Sequence, residues 1–198
     1  MVNVLLLMDT ETQKTVWHLF IEGDMNAFST LFKGYYATLH NYGIKISGNS
    51  SLTEDCLQDF FVYLYENKDN IGEVNSINAY LFVSFRRAIL KTIRKERVFT
   101  DYDPKYSTLD KFEFSTEELI VEQEFIGLKK SVVIHLLNEL SPREREVIYL
   151  KYYSNIRTKD IADVMDITNQ SVLNTLQKAF HKLRKASENH KIRQVLKK

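Results

Sequence analysis

A single cysteine in 198 residues excludes an intramolecular disulfide and suits a reducing compartment. Two prolines and six glycines leave few helix breakers, and the abundant Leu, Ile, Lys and Glu favour helices. No apolar run approaches the roughly 20 residues that cross a bilayer, so membrane insertion is not expected. The start, Met1–Met8, is apolar but short, and it lacks the basic flank and small-residue cleavage site of a signal peptide. Internal repeats, low-complexity tracts and glycine-rich phosphate loops are all missing. His18, His40, His135, His181 and His190 are scattered without metal-ligand spacing. Cys56 falls on an amphipathic segment, as a packed residue does. No cofactor and no catalytic residue is therefore expected, and the chain does not read as an enzyme.

What is present is a segregated charge. The net charge of +1 conceals blocks of opposite sign. Residues 1–85 carry net −6, residues 86–97 net +5, residues 98–124 net −6, and residues 141–198 net +7. Two basic blocks separated by an acidic stretch suit a phosphate backbone touched at two places, although solvated helix faces give the same pattern.

Apolar residues recur at spacings of three and four, which predicts helices. They are expected at Thr12–Glu22, at Asn26 to about Ile46, from a capping box at Ser51-Leu52-Thr53-Glu54 to about Asn67, and from a Ser76 cap to about Arg97. The periodicity fails from Phe99 to Phe114. A second capping box, Ser115-Thr116-Glu117-Glu118, starts a helix to about Asn138. Ser141-Pro142-Arg143-Glu144 starts another, to near Tyr153, with Ser at the cap and Pro at the first helical position. Two more follow at about Thr158–Met165 and Asn169–Ser187. The expected fold class is all-α, with two helical domains (residues 1–98 and 116–198) joined by a flexible linker (99–115).

The last two helices are separated by only Asp166-Ile167-Thr168. A short helix, a tight turn and a long basic helix make the helix-turn-helix that reads duplex DNA. Ile161, Ala162, Met165, Ile167, Val172, Leu176, Ala179 and Leu183 form its expected core, and Thr168 caps its second helix. Asn169, Gln170, Ser171, Asn174 and Thr175 are then presented outward, where amides and hydroxyls match base edges. Lys178, His181, Lys182, Arg184 and Lys185 follow, and their charges suit phosphates. A helical hairpin with a solvated basic face is the competing reading.

Upstream, Leu52–Glu66 has an apolar face of Leu57, Phe60, Phe61 and Leu64 and a polar face of Glu54, Asp55, Gln58 and Asp59. Such a face suits a basic partner helix, or simply water. Tyr80–Arg97 interleaves Tyr80, Phe82 and Phe85 with Arg86, Arg87, Lys91, Arg94, Lys95 and Arg97. Cations that track phosphates beside rings that stack on bases suit a melted strand, although the rings also suit a core.

In order and spacing, three blocks resemble the extracytoplasmic-function (ECF) group of bacterial RNA polymerase sigma factors. The first is Gly23-Asp24-Met25-Asn26-Ala27-Phe28 leading into Leu31–Tyr36. The second is Glu54–Phe61 followed by Ala79-Tyr80-Leu81 and Arg86. The third is Leu140–Val147 with Ile161-Ala162, Ile167 and Ser171-Val172. The resemblance covers about Trp17 to Lys185. It implies an N-terminal domain that docks on core RNA polymerase through Asp55, Gln58, Asp59 and Phe61. The same domain would engage the −10 promoter element through Tyr80, Arg86, Arg87, Lys91, Arg94 and the loop at about Asn67–Asn75. It implies that the helix-turn-helix reads the −35 element through Asn169, Gln170, Ser171, Asn174, Thr175, Lys178 and Lys182. It further implies promoter DNA as ligand, an anti-sigma factor as partner, and a cytoplasmic location. Asp166 stands where the family has Gly, Leu173 and Thr175 where it often has Lys and Arg, and Arg87 and Lys91 where it often has amide or acidic residues. The family also starts later than Met1–Leu7, so Met8 is the expected native start. The alternative is a helix-turn-helix transcriptional regulator that never joins polymerase.

Overall fold

The computed structural model describes residues 10–99, 112–115 and 127–188. Every regular element among them is helical. The chain forms two compact units; apart from Asp163–Asp166, which groups with the first, the division along the sequence falls between Lys111 and Phe112.

The first unit contains α1 (Thr10–Ile21), α2 (Met25–Ser47), α3 (Ser50–Glu66) and α4 (Ile77–Phe99), with a 3-10 turn at Lys68–Asn70. Helix α2 packs on each of the other three. Its residues Leu31, Tyr35, Leu39, Tyr42 and Ile46 repeat at intervals of three and four, and all are fully buried. Asp24 starts α2 by accepting from the N–H groups of Asn26 (2.6 Å) and Ala27 (3.0 Å). Gly48 ends it in the left-handed conformation at φ 67°. Gly43 lets α3 and α4 approach closely, because a Cβ there would lie 2.5 Å from Thr53 Cγ2 and 3.0 Å from Phe85 Cζ.

Helix α3 begins before the capping box expected at Ser51. Asn49 is the cap, accepting from Leu52 N–H at 3.1 Å, while the Ser50 hydroxyl donates to Glu54 at 2.8 Å. Asn caps as well as Ser, and Gly48 has already turned the chain, so the helix nucleates two residues sooner. The expected cap of α4 is present: Ser76 Oγ accepts from Ala79 N–H at 3.3 Å.

The second unit contains α5 (Gly127–Asn138), α6 (Pro142–Ile148), one π-helical turn (Tyr149–Tyr153), α7 (Thr158–Met165) and α8 (Asn169–Ser187). The expected start of α5 at Thr116–Glu118 lies outside the described residues, as does the expected start of the chain at Met8. Both arms of the Ser141/Glu144 capping box are made, with Ser141 N–H donating to Glu144 Oε2 at 2.8 Å. Val147, Leu150, Ile161, Val172 and Ala179 are fully buried at the centre of this unit. Asp166 takes the turn between α7 and α8 at φ 54°, which short polar side chains tolerate better than other non-glycine residues.

Two residues of the stretch expected to be linker pack into the second unit. Phe112 and Phe114 are 0% and 4% exposed, packed in the second unit. A segment of four residues is too short to show a period, so only its two rings could have signalled burial.

Candidate nucleic-acid interface

Helix α8 carries the outward amides and cations. Its cap is the one expected: Thr168 Oγ1 accepts from Ser171 N–H at 3.1 Å. Asn169, Gln170, Asn174, Lys178 and Lys182 are exposed. Gln170 Nε2 donates to Asn174 Oδ1 at 2.9 Å, so two of the base-reading candidates form one prearranged amide pair. Ser171 and Thr175 are half-buried and use their hydroxyls locally. Thr175 Oγ1 donates to the Ser171 carbonyl at 2.7 Å, and the Ser171 and Thr168 hydroxyls lie 2.8 Å apart. The outward strip is therefore Asn169, Gln170, Leu173, Asn174, Gln177, Lys178 and His181, at helical spacing and all exposed. Sequence reasoning missed Gln177. It noted Leu173 only as a departure, yet this side chain is 45% exposed on the outward strip, and an apolar group there has the chemistry to meet a thymine methyl.

Lys182 stands apart from Lys178. Its Nζ lies 2.8 Å from Glu144 Oε2, and the Glu144 side chain is 7% exposed. Burial works to raise the Glu144 carboxyl pKa, but the Lys182 ammonium and the Ser141 N–H and hydroxyl outweigh it, and the net shift is downward. One cation of the expected phosphate set thus ties α8 to the first turn of α6.

In the first unit, α4 separates its rings from its charges. Phe82 and Phe85 are fully buried, against Tyr42 (5.2 Å between centroids) and Phe60 (5.6 Å). Neither ring can stack on a base. Tyr80 is half-buried, edge-on to Trp17 at 5.5 Å. Burial raises its phenol pKa, a hydrogen bond with Ser84 opposes this, and nearby Tyr63 adds to it. Arg87, Lys91 and Arg94 are exposed and share one stripe at spacings of four and three, with Lys95 beside them. Arg86 is half-buried and falls outside that stripe.

Helix α3 presents Asp55, Gln58 and Asp59 to solvent. Phe61, expected among them, is 2% exposed and packs edge-on against Phe32 at 4.9 Å. It lies four residues after Leu57 and three before Leu64, so in the free chain its ring lies on the core face and not on the outer face. The apolar side chains on the outer face are Val62 and Tyr63, 55% and 65% exposed. Val62 continues the stripe from Asp55, Gln58 and Asp59 at helical spacing, the signal by which it was findable. The preceding loop candidate, about Asn67–Asn75, holds the 3-10 turn, with Lys68 Nζ 5.1 Å over the Tyr65 ring.

Among the described residues no group of His, Cys, Asp and Glu could hold a metal ion, and no helix is long and apolar enough to cross a membrane.

Comparison with known proteins shows the family. Residues 31–98 match the family model of sigma-70 region 2, and residues 131–183 match that of sigma-70 region 4. Over 162 residues the chain is 25% identical to the ECF RNA polymerase sigma factor SigL of Mycobacterium tuberculosis, covering 78% of this chain and 85% of that protein. It is 23% identical over 176 residues to SigW of Bacillus subtilis, covering 83% and 90%. In fold it is similar to the sigma factor RpoE of Bartonella quintana, solved with the anti-sigma factor NepR, at a TM-score of 0.57 and 19% identity, covering 82% of this chain and 98% of that one. The structure of CnrH with the cytosolic domain of CnrY is similar at the same TM-score and 17% identity, covering 89% and 97%. The chain belongs to the sigma-70 family of RNA polymerase sigma factors, in its extracytoplasmic-function group.

Proposed function

We propose that this chain binds core RNA polymerase and directs it to promoters, with α3 as the docking helix, the α4 stripe on the −10 region and α8 on the −35 element. The observation that carries this reading is that sigma-70 regions 2 and 4 occur in order in one chain, each with an exposed face of suitable chemistry. A regulator sharing only the helix-turn-helix would have no need of the first unit.

On this reading Asp55, Gln58, Asp59 and Val62 meet a basic helical surface of the polymerase. Arg87, Lys91 and Arg94 hold phosphates while the −10 duplex opens, with Tyr80 and Tyr63 at the flank. Asn169, Gln170, Leu173, Asn174 and Gln177 meet base edges in the major groove, and Lys178 holds a phosphate. The chain itself performs no chemistry, works in the cytoplasm beside polymerase, and is held in check by an anti-sigma factor. Run-off transcription with purified core polymerase on a promoter library tests the proposal. Initiation at discrete sites that depends on this chain is the expected result. DNA binding without capture of core polymerase would favour the plain regulator instead.

A further inference from the structure

We infer that Phe112–Ser115 is an internal clip, which docks in an aromatic slot on the second unit and thereby fixes where the interdomain linker ends. The stretch is non-helical and alternates: Phe112 and Phe114 are buried, and Glu113 between them is exposed. Asn138, the last residue of α5, satisfies the Phe114 backbone at both ends. Phe114 N–H donates to Asn138 Oδ1 at 2.8 Å, and Asn138 Nδ2 donates to the Phe114 carbonyl at 3.1 Å. A side-chain amide offers one acceptor and two donors, so it can do for Phe114 what a neighbouring strand would do.

The slot is made by the π-helical turn. Tyr149 and Tyr153 stack with centroids 5.5 Å apart and planes 3° apart. The Phe112 ring lies 5.6 Å from Tyr149, and the Phe114 ring lies 5.2 Å from Tyr153. Asn138 is itself held in place, since its carbonyl accepts from Arg145 Nη1 at 3.1 Å and Arg145 is 7% exposed. A backbone pair, two buried rings and a supported amide thus converge on four residues.

The consequence concerns the tether. From Phe99, the last described residue of α4, to Gly127, the first described residue of α5, the chain takes 28 Cα steps. From Phe99 to Phe112 it takes 13. Fully extended these span roughly 95 Å and 45 Å, respectively. The clip therefore lowers the greatest possible separation between described residues of the two units, and a shorter tether raises the effective concentration of one unit near the other. None of this rests on the promoter reading.

The test uses the full chain with Asn138→Ala and Asn138→Asp. Truncating the phenylalanines would open a core cavity and confuse the result. In the unsubstituted protein the Phe114 amide exchanges with solvent at least about 100-fold slower than a free peptide. Asn138→Ala cuts that protection at least about 10-fold, Asn138→Asp less because it keeps the acceptor, and α8 amides stay unchanged. Spin labels at Lys33→Cys and Lys159→Cys give a wider distance distribution with Asn138→Ala. An unprotected Phe114 amide, or protection indifferent to Asn138, overturns the clip. Protection lost with no widening overturns its role in setting the tether.

Discussion

Lys178 and Lys182 stand one turn apart on α8 and look interchangeable in the sequence, yet their surroundings assign them different work. The Lys182 ammonium sits 2.8 Å from a buried carboxylate, whereas Lys178 is exposed and has no carboxylate partner among the described residues. Lys182→Ala is expected to lower the stability of the second unit by about 1 kcal/mol, the usual worth of a half-exposed charged hydrogen bond. Lys178→Ala leaves the unfolding midpoint in place and weakens DNA binding across sequences. The pH dependence has a definite sign. Glu144 has a lowered pKa, so its contribution is complete above the ordinary carboxylate value of about 4.3 and is lost as pH falls through the lower folded value. Urea midpoints for the two proteins therefore converge below about pH 4, and a constant gap down to pH 3 would count against the ion pair. In the other unit, the Tyr35 hydroxyl is buried without a hydrogen-bond partner among the described residues. Burial alone raises its pKa beyond the ordinary phenol range. Tyr35→Phe removes that unsatisfied group, and a thermal melt is expected to show stability unchanged or raised by up to about 1 kcal/mol. A clear loss would mean that the hydroxyl has a partner.

At the scale of elements, α3 shows how far the sequence could be read. Its period of three to four residues places Leu57, Phe60 and Leu64 in the core and Asp55, Gln58 and Asp59 outside, and all six lie there. Phe61 was placed among the docking residues by resemblance, whereas its own spacing puts it on the core face, where it is 2% exposed. The consequence is measurable in two directions. Phe61→Ala is expected to destabilise the unit by about 3–5 kcal/mol, as loss of a buried ring does. Val62→Asp leaves the melting temperature nearly unchanged and abolishes capture by core polymerase. If Val62→Asp still pulls down core polymerase at the unsubstituted level, α3 is not the docking helix. The other helix starts were legible wherever a cap was a single strong signal, as at Ser141 and Thr168. Asn49 was hidden because Ser50 and Ser51 follow it and offer equally good caps nearby. The π-helical turn at Tyr149–Tyr153 was not legible at all, because local periodicity does not separate one π turn from an α-helical one; in it Tyr149 and Tyr153 stack on each other, with Phe114 against Tyr149.

For the whole molecule, the nearly neutral net charge is a cancellation between surfaces, and the cancellation bears on how DNA is held. The cations of the α4 stripe belong to one unit, Lys178 belongs to the other, and 27 residues of sequence separate α4 from α5. If both sets neutralise phosphates in the same complex, each contributes to the salt dependence of promoter binding by polymerase carrying this subunit. Each neutralised phosphate accounts for a slope of about −0.9 in log K against log salt on duplex DNA. Replacing Arg87, Lys91 and Arg94 together by Ala is then expected to flatten the slope by about 2–3, the lower value applying where the strand is single. Lys178→Ala is expected to flatten it by about 1. The two sets share no partner among the described residues, so the combined variant gives the sum. Filter binding of polymerase to a promoter fragment from 50 to about 300 mM salt reads all four slopes. A combined variant no flatter than the stripe variant would place Lys178 off the DNA and reduce the grip to one unit. Equal slopes for all four proteins would remove both basic surfaces from promoter binding, leaving the amide face of α8 to act alone.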